Sequence, residues 1–261
     1  MKTIGIITDF GSEDNYEGIM KGVILNINPK VQLVDISHNI DPQNIFKAAF
    51  LLKTAYRYFP KGTIFLCVVD PGVGSERDVI ILKTKDYCFL APDNGLLSYV
   101  RGENDHYEIF TVTNSKYFLK PVSQTFHGRD IFAPIAAHIS RGVSLKQLGK
   151  KKKSMAALPS LKCHMDQKKK KIRGCVVDVD HFGNLITNIH GKDLGKMKVP
   201  YKMKVKRNTI RGSVASYAQA KRGQLLFLIG SKGYLEISVN QGSAMKALKA
   251  FPGDAVTVLG K

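Results

Sequence analysis

Three short apolar runs, separated by stretches with helical spacing, constrain the fold most. The runs are Lys2–Thr8 (KTIGIIT), Val31–Ser37 (VQLVDIS) and Thr63–Val69 (TIFLCVV), rich in β-branched residues and short enough for buried strands. Between the first two, Tyr16–Asn28 places Ile19, Met20, Val23, Ile24 and Ile27 on one helical face, and Pro29 stops it. Between the second and third, a helix is expected from Asp41-Pro42 to about Phe59, with Ile45, Ala48, Ala49, Leu52 and Ala55 on one face. Val79–Leu82 and Cys88–Leu90 read as a hairpin, and further helices are expected after Asn94-Gly95 and over Ile131–Ile139. Strands alternating with helices predict a three-layer α/β domain with a mainly parallel sheet. Ligands in such sheets bind beyond the carboxyl ends of strands, which directs attention to Asp9 and Asp70. No GxGxxG follows the first strand and no GxxxxGK[ST] occurs, so a dinucleotide fingerprint and a P-loop are both absent.

The second half of the chain changes character. Residues 149–171 are lysine-rich, hold one proline and show no sustained periodicity, and read as a linker. After it, Gly174–Val179, Leu185–Asn188, Lys202–Val205, Leu225–Ile229, Tyr234–Val239 and Ala255–Leu259 read as short strands separated by Gly or Asn turns. The expected organisation is therefore an α/β domain over 1–148, a linker over 149–171 and a smaller all-β barrel or sandwich over 172–261. A chain of 261 residues, 44% hydrophobic and 23% charged, buries a core and is not a disordered polymer. It has no apolar run approaching the roughly 20 residues of a membrane span. Four scattered cysteines without a CxxC pair, and an N-terminus without a signal peptide's apolar stretch, make a reduced cytoplasmic protein the expectation.

The net charge of +19 is unevenly spread. Met1–Leu145 has fifteen basic and fifteen acidic residues, whereas Lys146–Arg173 carries +10 and Lys192–Arg211 carries +7. Either these runs grip a polyanion or they are solvated surface. Because no aromatic residue lies between Lys146 and Arg173 to stack on bases, solvated surface is the expected reading, with no nucleic-acid or membrane partner.

Four clusters carry side chains able to do chemistry. Thr8–Asn15 sets carboxylates Asp9, Glu13 and Asp14 around Gly11, suited to a diol or an ammonium group, although Asp14 or Asn15 could equally cap the following helix. Asp70 ends the third strand and Arg77 follows seven residues on, either a working pair or the ends of an ordinary turn. Ser123–Asp130 holds His127 beside Gly128, with Asp130 a possible helix cap. Asp178–Asn188 contains a tight turn at Asp180–Asn184, where the Asn184 amide either reads a base edge or simply shapes the turn.

Taken together these clusters resemble the S-adenosyl-L-methionine (SAM) hydrolase family, also called SAM hydroxide adenosyltransferases, related to SAM-dependent fluorinases and chlorinases. The matching stretches are TDFGSEDNYEGIMKG (Thr8–Gly22), VVDPGVGSER (Val68–Arg77), APDNGLL (Ala91–Leu97), TFHGRDIFAP (Thr125–Pro134), DHFGNLITNI (Asp180–Ile189) and GSKGYLEISVNQGSA (Gly230–Ala244), in family order across nearly the whole chain. The resemblance implies hydrolysis of SAM to adenosine and methionine. It implies no cofactor or metal, and a homotrimer with active sites between the N-terminal domain of one subunit and the C-terminal domain of the next. It puts a water-activating set on Asp70, Arg77 and His127, and adenosine contacts on Asp9 and Asn184, with further substrate contacts at Asp14, Ser231, Glu236 and Val239. Halogenating relatives have Tyr at the positions of Asp70 and His127 and Ser at that of Gly128, so the resemblance favours the hydrolase over a halogenase. It says nothing about the lysine runs, on which the competing reading, a non-enzymatic nucleic-acid-binding protein, would rest.

Overall fold

Strand β1 (Thr3–Thr8) lies at the middle of the parallel half of a seven-stranded sheet, with β2 (Gln32–Ser37) on one side and β3 (Ile64–Val68) on the other. The computed structural model describes residues 2–166, 168, 170–195, 201–211 and 213–260. It divides into two units, residues 1–159 and 160–261.

In the first unit the sheet order is β2-β1-β3-β5-β4-β6-β7, with β4 at Val79–Thr84, β5 at Cys88–Pro92, β6 at Tyr107–Val112 and β7 at Gly149–Lys152. The sheet is mixed, which corrects the expectation of a mainly parallel one. β1, β2, β3 and β5 pair in parallel, whereas β4 pairs antiparallel with both β5 and β6, and β6 with β7. The cause is connection length: parallel neighbours need a crossover of a dozen or more residues, but only three residues separate Thr84 from Cys88. One face of the sheet, through Ile4, Leu66, Val68 and Leu90, packs with α1 (Tyr16–Ile27) and α4 (Ala133–Ser140). The other, through Ile7, Phe65, Cys67 and Phe89, packs with α2 (Ile45–Ala55) and α3 (Ser98–Arg101). Helix α2 starts three residues after Pro42, because Gln43 turns left-handed (φ 64°) and Asn44 caps the helix by accepting from Lys47 N at 2.9 Å.

Two short strands fall within the stretch expected to be a linker, which begins at residue 149. Its first four residues are β7, and His164–Asp166 form β8 of the second unit. Lysines give no apolar period, yet their backbone pairs well at a sheet edge, where charged side chains remain in water. Lys169 of the first lysine run and Lys196 and Lys198 of the second lie outside the described residues.

The second unit is a bent sheet of order β12-β11-β15-β9-β10-β14-β13, with β8 paired to β9. Its strands are β9 (Lys171–Val179), β10 (Leu185–His190), β11 (Tyr201–Val205), β12 (Asn208–Arg211), β13 (Leu225–Ile229), β14 (Tyr234–Val239) and β15 (Ala255–Gly260). Ile172, Leu185, Met203, Phe227, Ile237 and Val258 meet in one core, so the sheet curls around itself, nearly barrel-shaped. No ladder joins its end strands β12 and β13 among the described residues. Burial pushes the thiols of Cys67 and Cys88 upward, Cys88 to about 12, which marks them as core residues rather than nucleophiles. Among the described residues no helix is long and apolar enough to cross a membrane.

Candidate active site

The chain runs from β1 out to β2 and back to β3 on the other side, so the carboxyl ends of β1 and β3 flank a switch point in the sheet. Thr8 and Val68 are ladder partners there, which brings the Asp9 and Asp70 loops side by side. The Asp9 loop is tied to the loop after β2. Gly11 N donates to His38 O at 2.9 Å, Thr8 Oγ1 meets His38 Nδ1 at 2.8 Å, and Gln43 N donates to Asp9 Oδ2 at 2.8 Å. Asp9 therefore keeps one carboxylate oxygen uncommitted to Gln43 N. Asp14 stands exposed five residues on, and the Asn15 side chain makes no cap bond to α1.

Asp70 and Arg77 close their loop on each other. Arg77 Nε donates to both Asp70 oxygens, at 2.8 and 2.9 Å, and an Arg77 Nη2–H donates to Oδ2. The same Nη2 reaches His127 Nδ1 at 2.9 Å. A guanidinium has only donors, so Nδ1 is the acceptor, the imidazole is neutral and its proton sits on Nε2. Burial, and then the Arg77 charge, holds the His127 pKa below its usual 6.5, in keeping with that assignment. The Arg77 guanidinium carbon lies 5.7 Å from the centroid of the fully buried Phe132 ring, over which it packs.

Several residues outside the expected set hold this geometry. Gly74 has φ 80°, and a Cβ there would stand 2.6 Å from the Gln124 carbonyl oxygen, so glycine lets the Asp70–Arg77 loop lie against the loop carrying His127. His127 begins a single π-helical turn, Gly128–Phe132, that leads into α4. Such turns recur at functional sites. Asp130, fully buried in that turn, is not a helix cap. It accepts from Ser123 N at 2.7 Å and from Arg129 Nε at 2.6 Å, and although burial raises its carboxyl, these bonds hold it below the usual range.

Asn94 donates its Nδ2–H to Val69 O at 2.8 Å, fixing the residue before Asp70. Lys152 bridges Asp78 at 2.5 Å and Asp93 at 2.6 Å, fixing the residue after Arg77. Sequence reading missed both clamps, because each joins residues 25 or more positions apart. Val69 is fully buried, so Asn94→Ala strands its carbonyl and is expected to cost about 1–3 kcal/mol of stability, read as a lowered denaturation midpoint.

In the second unit, Asn184 and Val239 line a cavity of about 520 Å³ together with Phe182, Tyr217 and Ser243. Asp180 shapes the turn beneath it, accepting from Asn184 N at 2.9 Å and Asn184 Nδ2 at 2.8 Å. Gly183 (φ 84°) is required there, since a Cβ would lie 2.1 Å from Ser243 Oγ. Glu236 is buried in β14 and accepts from Tyr217 Oη at 2.6 Å and Ser238 Oγ at 2.8 Å. Burial, reinforced by this carboxylate, pushes the Tyr217 hydroxyl pKa upward. Ser231 is exposed in the turn between β13 and β14 and is not among the lining residues. Tyr217 escaped sequence reading because its segment has no periodicity; only the structure brings it to Asn184 and Glu236. The structure thus joins Asp70, Arg77 and His127, sets Asp9 on the neighbouring strand end, and gathers Asn184, Val239 and Glu236 in the other unit.

Comparison with known proteins agrees across the chain. The profile of the SAM hydroxide adenosyltransferase N-terminal domain matches residues 4–149, and that of the C-terminal domain matches residues 174–257. A protein named (R)-S-adenosyl-L-methionine hydrolase from Methanocaldococcus jannaschii is 36% identical, covering 98% of this chain and 95% of its own. One of the same name from Thermus thermophilus is 31% identical over 99% of this chain and all of its own. The crystal structure of an uncharacterised conserved protein from Thermotoga maritima superposes with a TM-score of 0.93 at 39% identity, covering 98% of this chain and 99% of that one. The chain belongs to the SAM hydroxide adenosyltransferase family.

Proposed function

We propose that this protein is an enzyme that hydrolyses SAM to adenosine and methionine. The observation that carries the reading is the Asp70–Arg77–His127 set, held at the carboxyl ends of β1 and β3 in a chain of this family. In SAM the 5′ carbon bears a sulfonium. Water attacks that carbon, the C–O bond forms as the C–S bond breaks, the bonding pair goes to sulfur, and methionine leaves neutral. The leaving group therefore needs no acid, and the demand falls on the nucleophile.

Asp70 orients the water and takes its proton. Arg77 occupies one side of the carboxylate and stabilises developing hydroxide. His127, already accepting from Arg77 at Nδ1, offers Nε2–H to the water oxygen as a donor and is not the base. Asp9 accepts from the ribose hydroxyls and Asn184 from the adenine amino group. The aromatic rings of Phe182 and Tyr217 beside Asn184 suit a purine. Asp14, Glu236 and Val239 contribute to substrate binding, Glu236 by fixing the Tyr217 hydroxyl. Exposed Ser231 is the least supported of these contacts. The family resemblance adds a homotrimer whose sites are completed between subunits, which accords with the two groups of residues lying on different units, and the reading is of a cytoplasmic, cofactor-independent enzyme.

The direct test is to incubate the protein with SAM with and without fluoride or chloride. Adenosine should form in both, and a halogenated nucleoside made at adenosine's expense would favour the halogenase. Two further results follow. Protonated His127 would turn an N–H toward Arg77, so kcat/KM should fall in acid with a midpoint below 6.5. Unfolded His127 binds protons first, so stability should also decline as pH drops from about 6.5 toward that lower value. Asp9→Asn should weaken adenosine binding about ten- to a hundredfold, since bonds to a charged acceptor contribute roughly 1.5–3 kcal/mol. A deoxyribose ligand should cost the wild type a similar factor and the variant much less.

A further inference from the structure

The second unit holds twenty basic and six acidic residues, so it carries +14 of the chain's net +19. From sequence its lysines form runs; in the structure they sort by strand alternation. Met203, Val205, Ile210, Val256, Val258 and Ile172 point into the core, which leaves their neighbours on the outer face of β12-β11-β15-β9. The ladder register puts Arg211 opposite Lys202, with Lys202 beside Leu259, Leu259 beside Lys171 and Lys171 beside Asp166 of β8. One step along, Thr209, Lys204, Thr257 and Arg173 form a parallel row. Strands about 4.8 Å apart and side chains about 6.7 Å apart along each strand make this a closely spaced, mostly cationic patch. Lys204, Arg173 and Arg211 are exposed, Lys202 and Lys171 half-buried, and none of the five has an ion-pair partner among the described residues.

We propose that this face docks duplex nucleic acid through its phosphate backbone. Five cations against the one carboxylate of Asp166 repel each other and favour a polyanion, and a duplex presents a phosphate charge about every 1.7 Å of its axis. The face carries no aromatic side chain among its described residues, so the base stacking that holds single strands is missing. Leu259 is its one large apolar residue, too little to anchor the face in a bilayer. The contact is to backbone and reads no sequence.

The test is binding of a fluorescent 20-base-pair duplex of arbitrary sequence to the full-length protein across a salt series. Release of counterions at five sites predicts a log–log slope of about −4.5, a loss of roughly 500-fold between 50 and 200 mM salt. A triple variant, Arg173→Gln with Lys204→Gln and Arg211→Gln, should reduce the slope to about −2 while leaving SAM hydrolysis unchanged, which shows that it folds. An equal loss of charge elsewhere on the unit, Lys221→Gln with Arg222→Gln and Lys249→Gln, should leave the slope near the wild-type value. No binding at 50 mM salt would overturn the proposal. So would equal effects of the two triple variants, or capture by phosphatidylserine vesicles without capture of the duplex. SAM hydrolysis is measured separately, so failure of either reading leaves the other standing.

Discussion

Asp70→Ala should lower the turnover of SAM by about two to four orders of magnitude, the range for a positioned proton acceptor, while adenosine binding stays within about threefold. The split between kcat and binding follows from the geometry. Asp70 is engaged by Arg77 on the side that leads to His127, whereas the cavity proposed for the purine is lined by residues of the second unit. Asp70→Asn separates charge from shape, because it can still accept from Arg77 yet takes no proton, and it should be nearly as slow. Removing Asp70 also leaves the Arg77 guanidinium without its partner in a pocket where its side chain is only 12% exposed, so some stability is lost as well. A double variant with Arg77→Ala should therefore be little slower than Asp70→Ala alone, since groups acting as a unit are not additive. Asp70→Ala at wild-type speed would remove the carboxylate from the mechanism.

The second large effect is a gain. Asp70→Ala chains damage the first unit and Asn184→Ala chains damage the second, and each alone should be nearly inactive. Refolded together in equal amounts as mixed trimers, about one site in four should pair an intact first unit with an intact second unit of a neighbouring subunit, because a head-to-tail ring joins different surfaces at each interface. Activity should rise to about a quarter of wild type. Mixed trimers no more active than their parents would place each site within one chain.

The parallel strands and the aspartates at their ends were legible from the sequence, because β-branched runs that close on turns have few alternatives. Thr3–Thr8 and Ile64–Val68 match the runs that mark Asp9 and Asp70. The hairpin at β4 and β5 was legible too, yet its consequence, an antiparallel half-sheet, was not carried through. β7 was lost in a lysine run because edge strands need no apolar face. Spacing suggested that Arg77 could reach back to Asp70, but only the family resemblance linked His127, fifty residues on, to either. The clamps at Asn94 and Lys152, the buried Asp130 and the Tyr217–Glu236 bond were invisible, since each depends on which distant backbone or side chain the fold delivers. The same holds for the cationic sheet face, which appears only when register and alternation are known together.

In the proposed reaction, water held by Asp70, Arg77 and His127 attacks the 5′ carbon of SAM. Its most direct measurement is hydrolysis in heavy-oxygen water, followed by mass analysis of both products. One heavy oxygen is expected in the 5′-hydroxyl of adenosine and none in methionine, with or without halide. Adenosine without the label, label in methionine, or a 5′-halogenated nucleoside in place of adenosine would contradict it.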